Sequence, residues 1–536
     1  MPLLHSPRRR QLIGMGAAAL PAWLSGCAAP GVQPSTGGSV SSGSPPARPI
    51  PAGSAALYRV VNRLSWGATQ ASCERARQLG IERYVDGQLL PGLAGTLPSA
   101  AQSQIDALTA GREPLPDRVS RIEAQRKSAD AIDSEDGRKA ARQAYQQELA
   151  RLGREAASRH LLRAVYSEQQ LREHMTWFWF NHFNVHMGKR DLRAMVADYE
   201  ERAIRPNALG SFRTLLGAVV RHPAMLRYLD NEQNAAGRVN ENLARELMEL
   251  HTLGVDGGYE QRDVQELARV LTGFGTNFGA GQPNLGRERA ALYIRDGGFE
   301  FNPNRHDFGD KVVLGRTLRG RGAGELDEVL DLLARHPSTA RLVSRKMAQY
   351  LLRDEPPREL VERMARAFQA SGAQIAPTLR VLLLAPEFAA EPPAGAAKFK
   401  DPVHFVVSAI RAAYEDRVVL NTGPMQNWLN RMGEGLYNRQ TPDGYPPTAA
   451  AWTSSGQIAT RFEIARTIGN ASAGLFKSDD TLQPSEQPAF PRLAGPLYFE
   501  TLRPLLGADT RQALDQAASA QEWNALFLSS PEFMYR

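Results

Sequence analysis

Large apolar residues recur at steps of three and four along most of this chain, a spacing that gathers them on one face of a helix rather than of a strand. The pattern starts near Leu57, in LYRVVNRLSWG, and runs almost unbroken from His160 to Gly273, punctuated at Pro206, Gly210, Pro223 and Gly254. It resumes over 324–334 and 339–352. Two stretches depart from it. Residues 117–158 are dense in Arg, Glu, Ala and Gln with few large apolar side chains, which predicts an exposed helical hairpin of two long helices breaking at Asp136 and Gly137. Residues 291–315 carry short β-prone pieces around Asp296, Gly297 and Gly298, which predict a small hairpin. The expected fold is therefore mainly α: one multi-helical globular domain over 55–536 with a small β-hairpin insertion. LLLAPEF (382–388) and LFLSSPEF (526–533) echo each other and read as recurrent helix stops, since the residue before a proline avoids helical geometry.

The first fifty residues follow neither pattern. Arg8, Arg9 and Arg10 precede an apolar run from Leu12 to Leu24 that is interrupted by Gly14, Gly16 and Pro21. That run falls short of the roughly 20 residues a spanning helix needs. Arg9 and Arg10 followed by Gln11, Leu12 and Ile13 resemble a twin-arginine export signal, and LSGC at 24–27 resembles a bacterial lipoprotein cleavage box. Residues 1–26 are then a signal peptide and Cys27 the acylated first residue. Its acyl chains, at about 0.8 kcal/mol per buried methylene, hold the protein on a membrane surface. Ala28 after the cysteine, by analogy with lipoprotein sorting, favours the outer over the inner membrane, so the expected address is the periplasmic face of a bacterial cell envelope. Residues 28–54 mix Gly, Ser, Pro and Ala and predict a disordered tether.

Charge and cysteine narrow the picture further. The chain carries 64 basic and 57 acidic residues, a net +7 that falls to +4 once the three arginines of the leader are removed. So mild a balance over this length predicts no nucleic-acid partner. Cys73 is left as the one thiol outside the leader, so no intrachain disulfide is expected.

Candidate chemistry lies in three places. In NENLARELMELHTLG (240–254), a helical wheel at about 100° per residue sets Asn242, Glu246 and Glu249 on a polar ridge and turns His251 into the packed face. The ridge is read either as carboxylate ligands and a general base or as ion pairs with Arg245. Upstream, His182 and His186 stand four apart, the spacing of two-histidine metal sites, among Trp177, Phe178, Trp179 and Phe183. The loop FNPNRHDFGDK offers His306 beside Asp307, where polar residues have few structural duties. His222 and His336 each precede a proline in a helix-start phrase and read as structural. No P-loop, GxGxxG, GxSxG or paired CxxC occurs.

Taken together, LYRVVNRLSWG, WFNHF, YEERAIRPNALGSF, HPAMLRYLDN, NENLARELMELHTLGVDGGY, HDFGDKVVLG, HPSTAR, PDGYPP and SSPEF resemble, in order, the bacterial family called domain of unknown function 1800. The resemblance covers essentially everything after the tether. It implies an exported, mostly helical bacterial protein, transfers no catalytic residue, and points to an exported sulfatase- or phosphatase-like protein as a partner. The reading that joins these observations is a metal-dependent envelope enzyme, a hydrolase or oxidoreductase. In it His182, Glu249 and His306 bind a divalent metal, Glu246 and Asp307 are catalytic, and Arg245 clamps an anionic group of the substrate. The alternative is a non-catalytic scaffold or binding lipoprotein that uses the 117–158 hairpin as its contact surface.

Overall fold

The computed structural model describes residues 54–90, 95–477 and 490–536. The expected signal peptide, Cys27 and the tether lie outside the described residues, except that Ser54, assigned to the tether, is the first residue of helix α1 (Ser54–Leu64). The fold is mainly α, with two small sheets. Among the described residues no helix is long and apolar enough to cross a membrane.

The hairpin segment forms α2 (Leu115–Asp130) and α3 (Glu135–Tyr166), which pack on each other. The break falls at 131–134, ahead of the expected Asp136 and Gly137. Ser134 caps α3 by accepting from the Gly137 amide at 3.3 Å, and Glu135 and Asp136 sit in the first turn, where the helix dipole favours carboxylates. Nor is the hairpin simply exposed. Val119 and Ile122 of α2 are buried, Arg118 donates to the Ala194 carbonyl at 2.8 Å, and from Leu149 to Tyr166 α3 runs through the core. Alanine-rich and arginine-rich sequence hides this, because small residues and arginine stems bury without contributing to an apolar pattern.

Helix α4 (Gln170–His182) lies against α3 and is buried on nearly every side, so its run of aromatics shows little periodicity. The 240–254 phrase is helical as expected, but in two forms: α5 (Asn242–Glu246) passes directly into a π-helical turn, Leu247–Thr252. That turn packs on α8 (Pro337–Leu351), which follows α6 (Gln261–Val270) and α7 (Gly324–Arg335) in the chain. His336 caps α8, its Nδ1 accepting from the Ser338 amide at 3.2 Å, and His222 caps its own helix in the same way from the Ala224 amide at 3.1 Å. Helix α9 (Pro402–Ala413) packs on α3, with Asp401 as its cap, accepting from the His404 amide at 2.7 Å.

The β content is larger than the single hairpin expected over 291–315. Strand β3 (Phe299–Phe301) pairs with β2 (Ile294–Asp296) through the turn at Gly297 and Gly298, but also with β1 (Phe274–Thr276), just beyond the helical run. A second hairpin, β4 (Lys311–Val313) with β5 (Arg316–Leu318), turns at Leu314 and Gly315, both at positive φ. Three-residue strands are too short to print an alternation in sequence.

Candidate functional site

The structure does not bring the expected ligands together. His306 is buried between the rings of Phe301 and Phe308, with Nδ1 2.8 Å from the Thr272 carbonyl and Nε2 3.0 Å from a Glu325 carboxylate oxygen. Lys311 donates to the other Glu325 oxygen at 2.6 Å, and the Gly322 amide donates to the first at 2.8 Å. Burial works to raise the Glu325 carboxyl, but these hydrogen bonds from His306, Lys311 and Gly322 outweigh it and leave it below the usual range. The motif is a buried structural tie between α7 and the 301–311 segment. Asp307, expected to be catalytic, accepts from Arg269 at 2.8 and 3.2 Å and from the Gly309 amide at 2.9 Å. It closes a turn.

Arg245 is likewise paired: it donates to Glu241 at 2.8 Å and to Gln261 at 3.0 Å, on the outer side of α5. Glu246 and Glu249 do lie side by side. Burial raises the Glu246 carboxyl, and the charges of Glu249 and Asp443 raise it further. His182, however, sends Nε2 to the His251 carbonyl at 3.0 Å and Nδ1 to Lys346 at 3.3 Å. Among the described residues no three His, Cys, Asp or Glu side chains are placed to hold a metal ion, so the trio His182, Glu249 and His306 is not a ligand set.

What His182 does border is a cavity of about 170 Å³ lined by α4, α8, the cap of α9 and the 434–447 segment. Helical spacing delivers two of its walls. Trp177 with Asn181, and Phe178 with His182, are pairs four apart on α4; Lys346, Gln349 and Tyr350 are three and four apart on α8. The third wall is the loop holding Asp443, Tyr445, Pro446 and Pro447, fastened to α4 by two asparagines. Asn181 accepts from the Tyr445 amide at 3.2 Å, and Asn184 donates to the carbonyls of Arg439 and Thr441 at 2.9 and 2.8 Å. Gly444, at φ +75°, presses so closely on α4 that a β-carbon there would fall on the Asn181 carbonyl.

Lys346 is held by a helix end. The π-helical turn finishes with the Leu253 and Gly254 amides both donating to the Met248 carbonyl, which leaves the carbonyls of Leu250 and His251 without backbone partners. Lys346 donates to the first at 3.2 Å and His182 Nε2 donates to the second. A carbonyl only accepts, so Nε2 carries the His182 proton and Nδ1 turns its lone pair toward the Lys346 amine. Burial, the Lys346 charge and His251 together hold His182 well below the usual imidazole range, so it stays neutral. Among the described residues no carboxylate pairs with Lys346, and burial brings its amine down to about 8, with Asp443 pulling the other way. The buried lysines Lys311 and Lys398, by contrast, are paired with Glu325 and Asp354.

At the other end of the cavity burial and the neighbouring Asp401 push the Glu434 carboxyl well above its ordinary value, against hydrogen bonds from the Val403 amide (3.0 Å) and the Trp177 side chain. Tyr350 places a buried hydroxyl there with no partner among the described residues. Behind Tyr350 and Asp401 the buried guanidinium of Arg536 donates to His174 Nε2 (2.8 Å), His404 Nδ1 (3.0 Å) and the Tyr350 carbonyl (2.6 Å). Burial and that cation keep both imidazoles neutral, and Trp66 tilts its ring against the two of them.

Of the predicted residues, His182 alone borders this cavity; Glu246 feels the charge of Asp443, which lines it. Lys346, Glu434, Asp401 and Tyr350 were missed. The signal for Lys346 was there: it lies three after Val343 and four before Tyr350, so it shares the edge of the buried stripe of α8. WFNHF and PDGYPP meet through the hydrogen bond between Asn181 and the Tyr445 amide.

Residues 59–535 match the family described as Protein of unknown function (DUF1800). No curated protein matches the chain, and no solved structure does.

Proposed function

The chain belongs to the DUF1800 family, and for this member we propose an exported envelope enzyme whose active site is the cavity between Lys346 and Glu434, acting by proton transfer on a small organic substrate. The observation that carries the reading is a pair of groups whose surroundings drive their proton affinities together from opposite sides. Burial brings the Lys346 amine down to about 8 and, with Asp401, drives the Glu434 carboxyl well above its ordinary value, so one cavity holds a group suited to act as a base and one suited to act as an acid. Trp177, Phe178 and Tyr445 give the substrate an apolar seat, and Asp443 orients or charges the rim. The expected metal-dependent chemistry would need ligands other than His182, Glu249 and His306.

Export and anchoring enter the proposal from the leader alone: the twin-arginine and LSGC resemblances support an address, through lipid on Cys27, at the periplasmic face of the outer membrane. Its proposed partner there is an exported sulfatase- or phosphatase-like protein. The scaffold reading has less support, because the outward charges of the hairpin largely satisfy one another, as in Arg126 and Arg142 on Asp130 at 3.1 and 3.0 Å.

The test is a turnover panel of chromogenic esters, amides and β-hydroxy carbonyl compounds with the wild type, Lys346→Met, Glu434→Gln and the surface control Arg142→Ala. Turnover is expected to fall about 10²–10⁴-fold in the first two variants and to be unchanged in the control. Acetic anhydride labelling checks the premise without a substrate. If Lys346 acetylates at pH 7 no faster than the exposed Lys127 and Lys139, the reading is wrong.

A further inference from the structure

We infer that Lys346 is a nucleophile that forms an imine with a small carbonyl compound, an aldehyde or ketone of about one ring, seated in the cavity. The inference rests on the site just proposed and names its substrate class. Its ground is the way the amine is held. Two of its N–H directions are taken, one by the Leu250 carbonyl and one by the neutral Nδ1 of His182, so the remaining position faces the cavity. No carboxylate is within ion-pair reach of it among the described residues, which is what distinguishes it from Lys189, Lys311 and Lys398. An amine so desolvated and unpaired is an activated nucleophile.

The charged and titratable groups around it are few. His182 comes from α4, His251 from the π-helical turn and Asp443 from the loop, with Asp401 and Glu434 across the cavity. His251 is itself buried and held down to about 3, so it adds no cation. The step balances with these groups. The nitrogen lone pair attacks the carbonyl carbon, a C–N bond forms as the C=O π bond breaks, and His182 Nδ1 passes one nitrogen proton to the oxygen, which gives the carbinolamine. The Glu434 carboxyl then protonates that hydroxyl, which leaves as water as the C–N double bond forms, and the Glu434 carboxylate takes back the second nitrogen proton to leave the neutral imine. No oxidant or reductant is consumed. The size limit follows from volume: a cavity of roughly 150 Å³ accepts benzene in an otherwise packed core, and this one is about 170 Å³.

The experiment treats the full chain at pH 7 with benzaldehyde and cyanoborohydride and maps the benzylated lysines by mass spectrometry, beside a parallel acetic anhydride reaction. At that pH an amine of value near 8 holds roughly two orders of magnitude more neutral form than an ordinary lysine. Benzylation of Lys346 at least about tenfold faster than of Lys127 and Lys139, with the adduct absent from Lys346→Arg and slowed in Glu434→Gln, is the expected result. Fast acetylation without selective benzylation would overturn the imine and leave the proton-transfer site standing. Neither reaction favouring Lys346 would overturn both. Because the wild type carries the decisive comparison, a variant that fails to fold does not rescue the idea.

Discussion

Glu325 binds Lys311 and His306 at once, with all three side chains closed off from water, and this arrangement is worth more as a clamp than as chemistry. Removing one member of a buried pair strands the other, so Glu325→Ala should lower stability by roughly 3–5 kcal/mol in urea unfolding, because the Lys311 amine stays closed off from water and loses its carboxylate partner. The sign with pH follows from the depressed Glu325 carboxyl: its contribution is complete above the ordinary glutamate value near 4 and is lost as the pH falls through the lower folded value. Lys346 reactivity in the same variant, measured on whatever fraction is folded, should match wild type. A loss of Lys346 reactivity would instead tie the 306 region to the cavity. The sequence offers His306 and Asp307 in an irregular, glycine-flanked loop, and a polar loop is a fair place to look for catalysis. It cannot display Glu325, nineteen residues beyond His306 in a helix, which converts the histidine into a structural residue. Lys346 was obscured for the opposite reason, since a lone lysine in an amphipathic helix normally lies on the solvated side.

At the scale of elements, the site depends on how a turn and a helix end meet α4. The π-helical turn ends the 240–254 helix with two unused carbonyls, and those two fix the amine and the imidazole. Helical periodicity made this segment readable as a helix with His251 turned inward, and it is buried. The change of winding after Glu246 was not readable, because it is set by what α8 presses against it. The 442–447 turn is the second device. Gly444→Ala meets both a left-handed backbone and the Asn181 carbonyl, so the loop must lift away. A loss of about 1–3 kcal/mol is expected, together with faster quenching of tryptophan fluorescence by acrylamide as the cavity opens beside Trp177. An unchanged melting curve would show that the turn yields freely.

For the molecule as a whole, the proposed lipid anchor predicts that Cys27→Ala moves the protein from the membrane fraction to the soluble fraction of an envelope preparation and abolishes palmitate labelling. Retention on the membrane would overturn the lipid anchor. The helical class was legible because long amphipathic stretches repeat over hundreds of residues; the meeting of 182, 346 and 434 was not, because no local spacing encodes contacts between residues so far apart. The same remoteness bears on biosynthesis. Arg536 reaches back 362 positions to His174 and 132 to His404, so those two imidazoles stay unbridged until residue 536 has been made and folded back. The wall behind Tyr350 therefore closes late, and a chain that has not yet placed that guanidinium, however helical already, has no finished chamber in which to react.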